Sequence, residues 1–375
     1  MRRYGGTVQM QPTIHLAHDW LVGLRGGEWV LDRLARFYGP TVIYTLVDDG
    51  RPLTEAISGC EVVTSPLQKL PGAAGRLRRW YLPFMPWAVE RLRVREDCQL
   101  LISTSSAVMK AIHPPPGVPH LCYCHSPARY IWGQSEDYAH GSLGALRTAG
   151  LRLLRRRFQA WDRRTCARVT KFLANSAHTA RKVNEFYARD AEVVYPPVRT
   201  DFFTINDAVP REEFFLVVSA LEPYKRVDLA IDAANATGFR LKIVGGGTQA
   251  AALKKRAGNS VEMLGRVDDD ALRDLYRRAR ALLHPQQEDF GIIAVEAQAC
   301  GCPVIAYGSG GALETVRENT GFFFEAQSVE SLRSAIAESE RRSIDPIACR
   351  LNAERFSAER FDREIGEVVS VMMRR

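Results

Sequence analysis

Short apolar runs recur along this chain and alternate with stretches of helical periodicity. The first set occupies residues 13–17, 42–46, 100–104, 120–124, 171–175 and 193–195. The second set occupies residues 214–219, 240–244, 261–264, 281–283 and 303–306. Runs of this length between helical stretches are typical of buried parallel strands joined by helices. The pattern therefore predicts an α/β protein with two doubly wound sheets.

A polar segment separates the two sets. The motif Tyr195-Pro196-Pro197-Val198 ends the first set, and residues 199–211 are polar and irregular. We therefore predict one domain over residues 1–198, a second over 199–357 and a last helix over 358–375. With 375 residues in total, each domain is large enough to bury its own hydrophobic core.

The composition is that of a soluble globular protein, with 46% hydrophobic and 25% charged residues. No apolar run approaches membrane-spanning length, and residues 1–18 lack the apolar core of a signal peptide. The eight cysteines include no C-x-x-C pair, and several lie inside apolar runs. We therefore expect reduced thiols in a cytoplasmic protein and no structural zinc site.

Positive charge is concentrated in the first domain. Residues 1–198 hold 27 Lys and Arg against 16 Asp and Glu, a net charge of +11. The excess lies in residues 76–95, which include Trp80 and Trp87, and in residues 147–168, where apolar side chains recur at helical spacing. A solvated face over a core stripe is one interpretation, and an anionic membrane surface is the favoured one. Nucleic acid is a weaker alternative because no stacking or groove-reading motif accompanies the arginines.

Two carboxylates, Glu288 and Glu296, lie eight positions apart around the turn Asp289-Phe290-Gly291. A helix that begins near Phe290 and Gly291 leaves backbone N–H groups free at its positive end, which suits a diphosphate. Glu288 is then expected on a loop, and Glu296 inside the helix could accept hydrogen bonds from the hydroxyls of a ribose. An acidic loop residue before an ordinary helix is the alternative.

The flanks of this motif complete a βαβ pattern, because a predicted strand precedes it and Cys302-Pro303-Val304-Ile305-Ala306 follows it. A glycine loop, Gly308-Ser309-Gly310-Gly311, then opens another helix. With these motifs the chain resembles the retaining glycosyltransferases of family 4, which carry E-x7-E, a G-x-P-V-I-A strand and a glycine pair. The resemblance covers nearly the whole chain and is most specific over residues 215–321.

The resemblance implies the GT-B fold, in which two Rossmann-like domains face a cleft and a C-terminal helix crosses back to the first domain. It implies that the second domain binds a nucleotide-sugar donor and that the first holds the acceptor. Lys225 matches the family lysine that binds the diphosphate. The family arginine five residues earlier is absent, because Ala220 stands there, and Arg226 is the nearest candidate to replace it.

The remaining candidates come from the same resemblance. In the second domain they are Glu288 for the donor sugar, Glu296 for the ribose, Phe290, Gly291 and Ile292 at the helix start, Gly246 in a triple glycine, and Arg266 near the base. In the first domain they are His125, aimed at the donor sugar, and Asp19, Gly26, Gly27 and Arg129 as acceptor contacts. Asp268-Asp269-Asp270 is better explained as a helix N-terminus than as a metal site. We expect neither a metal nor a cofactor.

Three segments, His18-Asp19-Trp20, His125-Ser126-Pro127 and Tyr224-Lys225-Arg226, are most similar to the bacterial mannosyltransferase branch that builds lipid-linked polysaccharide. GDP-mannose is therefore the favoured donor and a UDP-hexose the second. The acceptor implied is a polyprenyl-diphosphate-linked saccharide at the inner face of the cytoplasmic membrane. A sugar phosphorylase, a nucleotide-sugar epimerase and an inactive nucleotide-binding scaffold remain alternatives, the last supported only by Ala220.

Overall fold

The computed structural model describes residues 12–24, 26–75, 77–133 and 144–374. The chain forms two compact units. Unit 1 contains the described residues among 1–173, 183–192 and 369–375, and unit 2 contains residues 174–182 and 193–368. The domain boundaries predicted at residues 198 and 357 stay predictions.

The first sheet has seven strands, in the order β3-β2-β1-β4-β5-β6-β7. They are β1 (Ile14–His18), β2 (Val42–Thr45), β3 (Glu61–Thr64), β4 (Leu100–Ser105), β5 (His120–Cys124), β6 (Lys171–Ala174) and β7 (Ala191–Val193). The central strand β1 pairs in parallel with β2 and β4, so that Leu16 lies between Ile43 and Ile102. Every residue of β1 is buried, as expected for a strand covered on both faces.

The second sheet has six strands, all parallel, in the order β10-β9-β8-β11-β12-β13. They are β8 (Phe214–Val218), β9 (Arg240–Val244), β10 (Val261–Gly265), β11 (Ala281–His284), β12 (Val304–Tyr307) and β13 (Gly321–Phe324). Along β8, Phe214, Leu216 and Val218 pack in one apolar cluster, while Phe215 and Val217 pack in another. This period of two shows that both faces of the sheet are covered.

Helices connect the strands of both units. They are α1 (Gly26–Tyr38), α2 (Glu55–Ser58), α3 (Met85–Val89), α4 (Arg129–Trp132), α5 (Gly144–Thr165), α6 (Ala177–Tyr187), α7 (Val227–Thr237), α8 (Ala250–Arg256), α9 (Asp269–Arg278), α10 (Ile292–Ala299), α11 (Ala312–Thr315), α12 (Val329–Arg341), α13 (Pro346–Glu354) and α14 (Ala358–Met373). No helix in the described ranges combines the length and the apolar character that crossing a bilayer requires.

The predicted fold class is confirmed: the protein is α/β, with two parallel, doubly wound sheets. The sequence pattern missed β3 and β13. Residues of β3 are partly exposed, and β13 is a short segment that begins with a glycine, so neither gives a long apolar run. The prediction for β7 was wrong by two residues, because the strand ends at Val193 rather than at Tyr195.

The last turns of α14 belong to unit 1. There Val371 and Met372 line a cavity of about 480 Å³. The rest of its lining is formed by Gly117, Val118, Pro119, Thr170 and Lys171.

The predicted basic helix exists as α5, but the side chains of residues 144–153, among them Arg147, Arg152 and Leu153, lie outside the described residues. Phe158 and Trp161 pack against the core of unit 1, and Arg155 donates to the backbone carbonyls of Ile131 and Trp132. Arg156 and Arg157 are exposed. Beyond residue 153, α5 therefore presents charge to solvent and has no apolar stripe left for a membrane.

Candidate functional site

Each sheet reverses its strand order beside its first strand, between β1 and β4 in unit 1 and between β8 and β11 in unit 2. In open parallel sheets, ligands bind where this reversal opens a crevice at the carboxyl ends of the strands. The segments after β1 and β5 carry the candidate residues of unit 1, and the loops after β8 and β11 carry most of those of unit 2.

In unit 2 the structure brings Lys225 and Glu288 into direct contact. Lys225 ends a short 3₁₀-helix after β8, and Glu288 lies on the loop after β11, as predicted. The Lys225 ammonium donates to Glu288 Oε1, and both side chains are largely shielded from solvent. An anionic ligand and Glu288 would therefore compete for the same cation.

Gln286 extends this contact into the protein. Its amide nitrogen lies 3.4 Å from Glu288 Oε1 and 3.2 Å from Nδ1 of His284, the last residue of β11. Burial lowers the pKa of His284 to about 4, so the imidazole is neutral at neutral pH. Because an amide N–H donates to Nδ1, the ring proton must reside on Nε2, which has no partner among the described residues.

Among the described residues, the side chain of Arg226 contacts groups other than Lys225 and Glu288. Its guanidinium lies 3.3 Å from Gln327 Oε1 and 3.4 Å from Asp228 Oδ1. Its backbone has φ of 50°, a left-handed conformation uncommon for a residue other than glycine. Strained backbone of this kind clusters at ligand sites, so the loop stays a candidate even though the side chain lies elsewhere.

Helix α10 starts as predicted, with Gly291 as its N-cap at φ of 88°. Only glycine adopts this conformation without strain, and a Cβ there would lie 3.4 Å from His284 Nε2. Ile292 is the first helical residue. The ring of Phe290, in contrast, is buried against Tyr195 and Phe356, so only its backbone could reach a donor.

Glu296 is buried inside α10. Burial raises the pKa of its carboxyl group to about 7. The hydroxyl of Tyr276 lies 3.4 Å from Oε2. A carboxyl group with this pKa is partly protonated at neutral pH. It could form hydrogen bonds with the hydroxyls of a polyol that reaches it.

The triple glycine is explained mainly by packing. A Cβ on Gly245 would lie 1.8 Å from the carbonyl oxygen of Ser219, and one on Gly247 would lie 2.4 Å from that of Leu221. These two glycines let the loop after β9 lie on the loop after β8. Gly246 differs, because its Cβ would meet only the side chain of Arg266, at 3.4 Å. The structure thus brings the two predicted donor-binding residues Gly246 and Arg266 together.

The acidic triplet is a helix N-terminus. Asp268 accepts a hydrogen bond from the Ala271 N–H as the N-cap of α9, while Asp269 pairs with Arg199 and Asp270 with Arg273. Among the described residues, no cluster of histidine, cysteine or acidic side chains could hold a metal ion.

In unit 1, the environment of Asp19 argues against its predicted acceptor contact. Its carboxylate is buried and accepts hydrogen bonds from four consecutive backbone N–H groups. These belong to Ser106, Ala107, Val108 and Met109 in the loop after β4. A carboxylate engaged in this way fixes a loop and has little capacity left for a ligand.

Two histidines meet at the start of α1. A Cβ on Gly27 would lie 3.4 Å from His18 Cε1 and 3.5 Å from His125 Nε2. His18 Nδ1 is 2.6 Å from the hydroxyl of Thr104, and its Nε2 is 3.7 Å from Glu28. The structure therefore places the predicted His125 and Gly27 together, with Gly26 beginning the same helix.

Sequence reasoning missed His18, Glu28, His284 and Gln286. A signal existed for the two histidines, because each is the last residue of a strand next to the order reversal. Arg129, the remaining candidate of unit 1, opens α4 four positions after His125.

Two Rossmann-like units with polar residues at their order reversals define a two-domain protein of the GT-B class. The solved structure of Anabaena HepE in complex with UDP aligns with a TM-score of 0.67 and 17% identity, covering 96% of this chain and 100% of that one. Such a low identity shows the fold alone.

Two family models match the sequence. Residues 24–202 match the family described as Glycosyltransferase Family 4, and residues 198–355 match Glycosyl transferases group 1. The two matches overlap at residues 198–202 and together span residues 24–355, so both halves of the chain are similar to glycosyltransferase domains.

Two curated relatives are similar over part of their length. An uncharacterized glycosyltransferase of Methanocaldococcus jannaschii is 30% identical over 174 residues, which is 45% of this chain and 49% of the relative. The alpha-1,3/1,6-mannosyltransferase of Homo sapiens is 29% identical over 242 residues, which is 54% of this chain and 58% of the relative. The chain thus spans about half the length of the curated relatives it matches.

Proposed function

We propose that this protein is a retaining hexosyltransferase that uses a nucleotide-diphosphate sugar as donor. The observation that carries the proposal is the contact between Lys225 and Glu288 at the order reversal of unit 2. It joins a cation suited to a diphosphate with a carboxylate suited to sugar hydroxyls. The start of α10, with its free N–H groups, lies three residues further along the chain.

Donor binding would rearrange this pair. The diphosphate competes with Glu288 for the Lys225 ammonium, and the released carboxylate can then accept hydrogen bonds from hydroxyls of the donor sugar. As the bond between the sugar C1 and the phosphate oxygen breaks, negative charge develops on the diphosphate. Lys225 and the α10 N–H groups stabilise that charge, which is commonly the largest catalytic effect.

Retention follows if the acceptor attacks from the face that the diphosphate leaves. The acceptor hydroxyl oxygen bonds to C1 on that face, and its proton passes to the departing phosphate oxygen. Glu288 then holds the sugar without forming a covalent bond to it. Charge compensation by Lys225 and backbone N–H groups requires no metal, so turnover should persist in the presence of a chelator.

GDP-mannose is the favoured donor, supported by the similarity to a mannosyltransferase of Homo sapiens. A UDP-hexose is the second candidate, because the structurally similar HepE was solved with UDP. In this proposal Glu296 holds the ribose, and Arg266 lies beside Gly246 near the base.

A polyprenyl-diphosphate-linked saccharide is the proposed acceptor, presented at the inner face of the cytoplasmic membrane. The support is the net charge of +11 on residues 1–198, which an anionic surface would attract. Transfer to such an acceptor would serve the synthesis of a cell-surface polysaccharide.

A thermal-shift panel of GDP, UDP, ADP and their sugars tests the donor site. A nucleotide that binds should stabilise the protein by about 2.7 kcal/mol at a hundredfold excess over its Kd. The shift should disappear in Lys225→Ala but persist in Lys254→Ala, which removes an exposed lysine of α8. If no nucleotide shifts the wild type, the donor site is wrongly assigned. Hydrolysis of a nucleotide sugar without acceptor would exclude an inactive scaffold.

A further inference from the structure

Exposed apolar side chains are concentrated in one short segment of unit 1. Leu70, Leu77, Trp80, Phe84 and Trp87 are each between 38% and 56% exposed. They account for five of the eleven large hydrophobic side chains that are exposed in the described part of the chain. We call this set the aromatic face. Exposing so much apolar surface within 18 residues is unfavourable in water and marks an interaction site.

The aromatic face rests on a firmly packed base. Residues Arg78–Phe84 form a 3₁₀-helix that continues directly into α3. Leu82, Met85 and Val89 of the same segment are buried in the core of unit 1. The exposed side chains are therefore presented by a rigid support. Their exposure is not caused by the lack of a core beneath the segment.

Within residues 66–95, the charged side chains are almost all positive. Lys69, Arg79 and Arg91 are exposed beside it, and the Arg91 guanidinium lies 4.5 Å from the centre of the Trp87 ring. Glu90 is the only acidic residue between positions 66 and 95. Its carboxylate is held by Trp161, His113 and Arg168, so it does not offset the cations at the surface.

Tryptophan and phenylalanine ringed by arginine and lysine suit the interface of an anionic bilayer. Aromatic rings settle at the headgroup level, while the cations attract acidic lipids. We propose that the aromatic face is the membrane-docking surface of this protein, inserting its tryptophans among anionic lipid headgroups. In the described part of α5, by contrast, Phe158 and Trp161 pack against the core of unit 1.

This inference rests on the proposed function only in that a lipid-linked acceptor gives the docking a purpose.

The test measures binding of the full chain to vesicles of phosphatidylcholine, with and without phosphatidylglycerol, at low and high salt. The wild type should prefer the anionic vesicles. High salt should weaken this binding without abolishing it, because salt screens charges but not apolar insertion.

The decisive variant combines Trp80→Ala, Phe84→Ala and Trp87→Ala. It should bind anionic vesicles at least about tenfold more weakly, because the apolar burial of three aromatic rings is lost. The matched control combines Leu313→Ala, Ile347→Ala and Leu351→Ala, which removes three apolar side chains of unit 2 that are 53% to 60% exposed and should bind like the wild type. Brominated lipids should quench wild-type tryptophan fluorescence, and Trp80→Phe with Trp87→Phe should remove most of that quenching.

Equal binding by the wild type and the decisive variant would overturn the proposal, as would absence of vesicle binding by the wild type. Loss of binding only in Arg156→Glu with Arg157→Glu would assign docking to α5 instead. Self-association that the decisive variant abolishes, without vesicle binding, would mean that a second copy covers the face. Nucleotide thermal shifts are recorded in the same samples: intact shifts without vesicle binding refute docking alone, and vesicle binding without shifts refutes the enzymatic proposal alone.

Discussion

The two units use the same position of the same fold in different ways. At the order reversal of unit 2, the ammonium of Lys225 and the carboxylate of Glu288 form an ion pair, and under the proposed function an external anion would compete for the ammonium. At the order reversal of unit 1, the carboxylate of Asp19 is already bound by four backbone N–H groups, and the groups beside it are histidines. The difference teaches that topology fixes where a site lies, while the side chains decide whether it is open to an anion.

The largest effect that would sharpen this comparison is expected in unit 2. Lys225→Ala should lower kcat about 10²–10³-fold, because a preorganised partner of the developing charge is lost. Steady-state kinetics with the donor identified by thermal shift would measure it. Lys254→Ala, which removes an exposed lysine, is the control. Near-normal turnover in Lys225→Ala would show that the α10 N–H groups suffice by themselves.

The corresponding change in unit 1 should affect stability rather than donor binding. Asp19→Ala leaves four buried N–H groups without an acceptor and should cost about 2–4 kcal/mol. Hydrogen exchange of the amides of residues 106–109 and denaturant unfolding would detect the loss, while the donor KM should stay within about twofold. Asp97→Ala, which removes a mainly exposed carboxylate, should cost under about 1 kcal/mol. Equal behaviour of the two variants would argue against the role given to Asp19.

Glu296 should make unit 2 sensitive to pH. Its carboxyl pKa is raised to about 7 from the ordinary 4.5, so the folded protein holds the proton more tightly than the unfolded chain does. Its contribution to stability is fully present below pH 4.5 and is lost as the pH rises through 7. As the pH rises from 5 to 8, the free energy of unfolding of Glu296→Gln should therefore increase by about 2 kcal/mol relative to that of the wild type. A difference between the two proteins that does not change with pH would contradict the buried environment.

The same residue should affect the donor. Glu296→Ala should raise the donor KM by about tenfold or more, because ribose hydroxyls lose a charged partner. The wild-type donor KM should fall as the pH rises through about 7 and the carboxylate ionises. An unchanged donor KM in Glu296→Ala would remove this residue from the nucleotide site.

The smallest effect is expected at Arg226, since its side chain contacts Gln327 and Asp228. Arg226→Ala should lower kcat/KM only several-fold, by about 1 kcal/mol of transition-state stabilisation. Ala220→Arg should restore part of that loss by returning the family residue. If Arg226→Ala behaves as the wild type, the missing diphosphate contact comes from another group.

Much of the fold could be predicted from the sequence, because buried parallel strands are nearly continuous apolar runs. The start of α10 and the N-cap at Asp268 were also predictable, since both depend on residues close together in the chain. The partners of Asp19 and Phe290 could not be predicted from the sequence. The N–H groups that Asp19 accepts lie 87 to 90 positions away, and Phe290 packs on Tyr195 and Phe356. Such contacts depend on tertiary packing, which no local pattern encodes.

The carboxylate of Asp19 has one more consequence. Successive backbone N–H groups form a concave nest that in many proteins captures phosphate. In unit 1 that nest is filled by the side chain of Asp19, which belongs to the chain itself. Under the proposed function, a nucleotide donor would find these four N–H groups already occupied, which favours its binding in unit 2.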